Sequence, residues 1–454
     1  MSPSHHLRAL LSTVVNATAT DSAATCWEYE TPQCEEKWKY LLIPVIAGVI
    51  GYITNVAALI LTFYPVEFTG ININRFMCGQ GQPIGCLGWQ GIIPTKATKM
   101  ATICIKLMTE ELFKLQDIFC RLDPSTMSDI MKDDMDAFVE KLVEDVGHKF
   151  IGRAWTIYPY QSDVIEDAKS NSREMIHGLM EEVKRQNVEK VIDVERSVVQ
   201  LLEEDKALMN EVFQKCGKEE FIFIERSGAY FGFLFGVLQG LLWFFYKEQW
   251  VLPVAGFLVG WVTNYIALTI IFRPVYPITR CGITCQGVFL ARQAPVSRVF
   301  ADIMAEKVVT PRLIWRFVLD KSQPRSKEFY LILNRQTRGL SKKLLEGTAG
   351  LTTALSLVKG ASHLEEMHAY VEKRVEKELP RLISSPRLEE YMAKAFNLKY
   401  ILRTAMQGLP PHKFEGVLHP VFQEDEVKLI LVGGVLGLAA GVAQLLFMFP
   451  TNSA

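Results

Sequence analysis

Charge of one sign, cysteine and histidine are all scarce in this 454-residue chain, and each scarcity removes a class of explanation. The 49 basic and 50 acidic residues leave a net charge of −1, so no global polycation marks a nucleic-acid partner. Nine cysteines are too sparse for a disulfide-built scaffold. The eight histidines contain no His-Glu-x-x-His or other compact ligand set. His363 and His368 are five apart, a spacing that does not place both imidazoles on one helical face. Cys281 and Cys285 have no second cysteine pair nearby, and Cys78 and Cys86 flank a glycine-rich loop with no counterpart elsewhere. Nucleophile elbows and phosphate loops are absent, and adjacent acids such as Glu181-Glu182 and Glu365-Glu366 read as solvated helix faces. No catalysis, metal or cofactor is expected.

What the chain has in quantity is apolar residues, 49% of the total, concentrated in four blocks. Residues 40–64 carry no charge, and neither do 251–272 or 429–449; residues 221–246 are interrupted only by Glu225 and Arg226. At 1.5 Å per residue each block is long enough to cross about 30 Å of hydrocarbon. The expectation is an all-α membrane protein with four transmembrane helices.

Only residues 247–250 join the second and third blocks, so these form a tight antiparallel hairpin. The long polar stretches, 65–220 and 273–428, then share one side of the membrane; the tails 1–39 and 450–454 share the other. Arg75, Lys215, Lys218, Arg226, Arg273, Arg280, Arg292 and Lys428 flank the membrane on the side of the polar stretches, against Lys37, Lys39 and Lys247 opposite. The excess predicts that both polar stretches are cytosolic, or face the matrix or stroma. Residues 9–15 weakly resemble the apolar core of a signal peptide. On a non-cytosolic tail Asn16 is a glycosylation acceptor and Cys26 and Cys34 can pair.

The chain also matches itself. Gly51-Tyr-Ile-Thr54-Asn55-Val-Ala-Ala58 is echoed by Gly260-Trp-Val-Thr263-Asn264-Tyr-Ile-Ala267, and Phe63-Tyr64-Pro65-Val66 by Phe272-Arg273-Pro274-Val275, all at an offset of 209. Gln90-Gly91 matches Gln286-Gly287 at an offset of 196, which also aligns Met108 with Met304 and Glu110 with Glu306. Gly232, Gly236 and Gln239 match Gly437, Gly441 and Gln444. The pattern predicts a parallel internal duplication, each copy being a membrane helix, a soluble helical region and a second membrane helix.

Gly-x-x-Thr-Asn-x-x-Ala followed by Phe-x-Pro, then Gln-Gly-Ile-Ile-Pro94 before a basic helix, and Leu418-His419-Pro420 before Val-Phe-Gln resemble the mainly bacterial membrane proteins called domain of unknown function 445. Thr54, Asn55, Phe63, Pro65, Gln90, Gly91 and Pro94 carry the resemblance in the first copy; Thr263, Asn264, Phe272, Pro274, Gln286 and Gly287 carry it in the second. The second copy departs where Val288-Phe289-Leu290 lacks the proline; the first has Asn210-Glu211 in place of the His-Pro. The resemblance implies the architecture and brings no reaction, substrate or cofactor.

In the soluble stretches apolar residues recur at helical spacing. Expected helices begin at Thr95, restart after Asp123 or Ser125 as cap, break over 147–160, and run amphipathically over 164–209. Further helices are expected over 297–319, 326–345, 364–379 and 386–407. Residues 121–220 hold 14 basic and 23 acidic residues, net −9, and residues 291–426 hold 22 and 16, net +6. Opposite charge on one membrane face predicts intramolecular contact between the two modules.

Inside the membrane, Asn55 and Asn264 cannot be desolvated cheaply and need a helix, water or substrate partner. Gln239 and Gln444 are candidates, although Gln444 falls about 10 Å further toward the outer face than Asn264. Thr54 and Thr263 can return a bond to their own helix. Gly232 and Gly236, and Gly433, Gly437 and Gly441, have the four-residue spacing that lets helices pack closely; Gly51 and Gly260 lie on the partner helices. Structural fixing of a four-helix bundle is the favoured role. The functional expectation is an integral membrane scaffold presenting helical modules to lipids, a protein partner or another copy of itself. The alternatives are a small-solute or lipid transporter between the two copies, and an accessory subunit of a larger membrane complex.

Overall fold

A computed structural model of the chain describes residues 34–71, 84–85, 87–246, 248–280, 282–347, 361–416 and 426–448. Asn16, Cys26 and the loop cysteines 78, 86 and 281 lie outside the described residues, and so does the side chain of Cys34. The first seven long helices are α1 (Cys34–Phe63), α2 (Ala97–Leu107), α3 (Pro124–Val146), α4 (Gln161–Arg185), α5 (Val194–Glu204), α6 (Lys206–Cys216) and α7 (Lys218–Phe245). The rest are α8 (Val251–Phe272), α9 (Gln293–Ile303), α10 (Pro311–Leu319), α11 (Ser326–Gly347), α12 (Ala361–Ile383), α13 (Pro386–Phe396), α14 (Leu398–Gly408) and α15 (Glu426–Met448).

Contacts divide the chain into two compact units. The first comprises residues up to 64, 219–288 and 422 onward, and contains α1, α7, α8 and α15. These four helices are long and apolar enough to span a membrane. Only 33–39% of each apolar window is buried, and the outward residues include Ile60, Leu234, Leu241, Leu258, Leu431 and Val435. Such a belt suits hydrocarbon, where every backbone polar group must be satisfied within the helix. Ile43 of α1, Trp243 of α7, Val251 and Leu252 of α8 and Leu445 of α15 pack together, so side chains from all four helices meet.

The second unit joins residues 65–218 to 289–421. Helices of the two stretches interleave: α4 packs on both α3 and α11, α12 on α3, and α6 on α9. Large buried side chains fill the interior, among them Phe119, Trp155, Phe300, Phe329 and Phe414. Phe119 meets Phe396 at 5.2 Å between ring centroids, again across the two stretches. Among the described residues seven ion pairs also cross between them: Glu111–Lys413, Asp145–Arg374, Glu174–Lys343, Glu182–Arg335, Asp193–Arg325, Glu204–Arg316 and Glu211–Lys307. In each the acid comes from the earlier stretch and the base from the later one.

Helix boundaries show where periodicity misleads. The amphipathic run expected over 164–209 is cut three times. Asn187 turns the chain with φ +71°, and the carboxylates of Asp193 and Asp205 accept from the Arg196 and Leu208 amides as caps. The run expected over 386–407 is divided by Asn397 at φ +47°. Over 297–319 a π-helical turn at Met304–Val308 and the Thr310-Pro311 cap divide α9 from α10. Asp123 rather than Ser125 caps α3, accepting from Thr126 N at 2.9 Å. Short strands were not foreseen: Thr69–Ile71, Ile84–Gly85 and Leu87–Trp89 form one antiparallel sheet, and Ile278–Arg280 pairs with Ile283–Cys285. Two or three residues are too few to display the period-two pattern that reveals a strand.

Candidate functional site

The sequence-predicted polar residues of the membrane unit gather between its helices and divide into two matching sets. Asn55 Nδ2 donates to the Ile224 carbonyl of α7 at 2.7 Å; Asn264 Nδ2 donates to the Leu429 carbonyl of α15 at 3.0 Å. Both asparagines are buried. Thr54 Oγ1 donates back to Gly51 O at 3.0 Å and Thr263 Oγ1 to Gly260 O at 3.2 Å. Each threonine thus disposes of its proton within its own helix, while each asparagine ties its helix to a neighbour. The expected glutamine partners are not used.

Glycine makes these bonds geometrically available. A Cβ on Gly51 would lie 2.2 Å from the Gly228 carbonyl oxygen, and one on Gly260 would lie 2.2 Å from that of Gly433. Gly232, Gly236, Gly437 and Gly441 also meet facing backbone, on α1 or α8. The helices therefore touch backbone to backbone, which brings the carbonyls of Ile224 and Leu429 within reach of a short asparagine side chain. Gly228 and Gly256 belong to the same contacts and escaped notice in the sequence. Gly228 stands at an offset of 205 from Gly433, a signal that could have found it.

Gln239 and Gln444 instead meet each other, Gln239 Nε2 lying 3.4 Å from Gln444 Oε1, with both residues buried. Beside them a cavity of about 20 Å³ is lined by Thr54, Thr263, Gln239, Gln444 and small residues including Ala47 and Ala440. That is room for one water. Gln444 Nε2 and Asn55 Oδ1 are buried without a hydrogen-bond partner among the described residues.

The remaining motif residues lie past the ends of α1 and α8. Gly91 N donates to Pro65 O at 2.9 Å and Gln90 Nε2 to Val66 O at 2.8 Å. The same two bonds recur in the later stretch, from Gly287 N to Pro274 O at 3.0 Å and from Gln286 Nε2 to Val275 O at 3.2 Å. Proline carbonyls and a glutamine amide thus close the neck of each short β-loop. Pro94 is buried in the turn after the first clamp, where Thr95 Oγ1 donates to Gly91 O at 2.7 Å. These residues act on backbone, and none faces another in an arrangement that could move a proton or hold a metal.

In the soluble unit, His368 is buried with Nδ1 2.7 Å from Ser341 Oγ. Burial, reinforced by Arg338, pushes its pKa below the free value, against the pull of Glu365 and Glu372. Burial also pushes the Cys104 thiol up to about 12, which leaves it unreactive. Among the described residues no group of three His, Cys, Asp or Glu side chains is placed to hold a metal ion.

No family model matches the chain, and no curated protein matches it.

Proposed function

We propose that the chain is an integral membrane scaffold. Its four-helix anchor holds one helical body, built from both polar stretches, on the cytosolic, matrix or stromal face. Membrane lipids surround the anchor, and a protein partner or a second copy is the cargo of the body. The observation that carries this reading is the use made of the intramembrane polar groups. Both asparagines spend their donors on a neighbouring helix backbone, the two glutamines meet each other, and the space beside them holds about one water. A solute route would call for polar groups that face an open passage.

The matching hydrogen bonds at Asn55 and Asn264, and at Gln90 and Gln286, support a duplicated unit. They also agree with the motif positions that resemble domain of unknown function 445. Purification of the full chain in mild detergent, with mass spectrometry of what accompanies it, tests the reading. A stoichiometric protein partner or a defined self-assembly is expected. A protein-free monomer enriched in one solute would replace the proposal with transport.

A further inference from the structure

An apolar void of the soluble unit lies between its two stretches. Val143 and Val146 of α3, Ile151, Trp155, Leu340 of α11 and Met367 of α12 are among the residues that enclose about 100 Å³. Native cores are packed with few voids larger than a water, and an apolar space of this kind stays dry and takes up hydrocarbon. On the scale of a ~150 Å³ cavity that accepts benzene, it has room for about four carbons of a chain.

The rim of this void is polarised. The π-helical turn Gly147–Ile151 contributes Gly147 and Ile151 to the lining and turns His148 and Lys149 outward, with Arg153 two residues further on; all three are exposed. Lys149 Nζ stands 3.9 Å from the centroid of Tyr370, a residue between the lining residues Met367 and Val371. Neither Lys149 nor Arg153 forms an ion pair among the described residues, whereas Asp145 is held by Arg374 and Glu365 by Arg338. Ile157, 82% exposed, and Tyr160, 60% exposed, continue the same segment with apolar surface. An apolar hole, two cations without a carboxylate partner among the described residues on the segment that borders it, and exposed aliphatic and aromatic groups beside them match one ligand chemistry: a single acyl chain that ends in an anionic headgroup.

We propose that the soluble unit binds one anionic single-chain lipid, with the last few carbons of the chain in this cavity, the rest of the chain along the exposed apolar surface of Ile157 and Tyr160, and the headgroup against Lys149 and Arg153. In a protein tethered to a membrane such lipids are the apolar ligands at hand. The inference goes beyond the scaffold reading and stands whether or not a protein partner is found.

The full chain in nanodiscs of uncharged phosphatidylcholine is titrated with 16-bromohexadecanoate, whose terminal bromine quenches tryptophan on contact. Saturable quenching is expected, and the part lost in W155F assigns it to the cavity. Filling the space with V143F should weaken binding about tenfold or more. K149E/R153E should weaken it about tenfold and abolish the preference for the acid over 16-bromohexadecanol. Repeating the titration with bromoacyl lysophosphatidate distinguishes a free fatty acid from a lysolipid as the better ligand. Linear, unsaturable quenching, or curves that coincide for wild type, V143F and K149E/R153E, would overturn the proposal. Should V143F fail to fold, the exposed K149E/R153E pair still decides.

Discussion

Gln239 of α7 and Gln444 of α15 point their amides at each other inside the membrane unit, with Nε2 and Oε1 3.4 Å apart. The bond joins two helix pairs, α1 with α7 and α8 with α15, that are each already closed by glycine and asparagine. At this length it is a weak bond. Q444L should therefore cost less than about 1 kcal/mol, read from unfolding in mixed micelles.

Gly51 and Gly260 leave far less latitude. An added methyl meets a carbonyl oxygen at 2.2 Å in both places, so the helix pair must part to admit it. G51A and G260A should each lower stability by about 2 kcal/mol, well beyond the effect at Gln444. The same assay ranks them.

His368 makes the soluble unit acid-sensitive. Its folded pKa is held below the free value of 6.5 by burial first and by Arg338 second. The unfolded chain therefore takes up the proton first. Stability from this group is complete above the free value and is lost as pH falls through the acid range toward the folded pKa. Ser341, Arg338, Glu365 and Glu372 are the polar and charged groups around it. H368Q should flatten the part of the denaturation midpoint against pH that lies just below 6.5, and wild type should retain it.

Asp145 and Arg374 join the two soluble stretches at 2.5 Å, both partly buried. A double-mutant cycle on D145A and R374A should return a coupling of about 1 kcal/mol. The exposed pair Glu174–Lys343 should return less than half of that and should vanish in high salt.

The architecture was legible because it depends on composition and length. Four apolar blocks, three of them uncharged, announce four helices, and the helix α8 begins and ends where the sequence places it, at Val251 and Phe272. Asn55, Asn264 and the glycines stood out because polar or side-chain-free residues are conspicuous in an apolar run. Their partners were not legible. Asn55 bonds to a backbone carbonyl, and every residue has one, so no side chain at position 224 could advertise it. Interruptions at Asn187, Asp193 and Asn397 leave only small slips in the apolar spacing: the buried Phe396 and Leu398 are two apart, and Val183 and Val188 five apart, where one continuous helix has three or four. The apolar cavity between the two stretches had no sequence signal, since its lining reads as ordinary core.

The proposed role of Asn55 and Asn264 is to hold the four apolar helices together and not to handle a solute. It is tested by measuring, on the same preparations of N55A, N264A and the double variant, both unfolding stability and solute flux into liposomes. Losses of about 1 kcal/mol are expected for each single variant, near-additive in the double, with flux no different from empty liposomes throughout. Full stability in all three variants, together with a wild-type flux that the substitutions abolish, would contradict it.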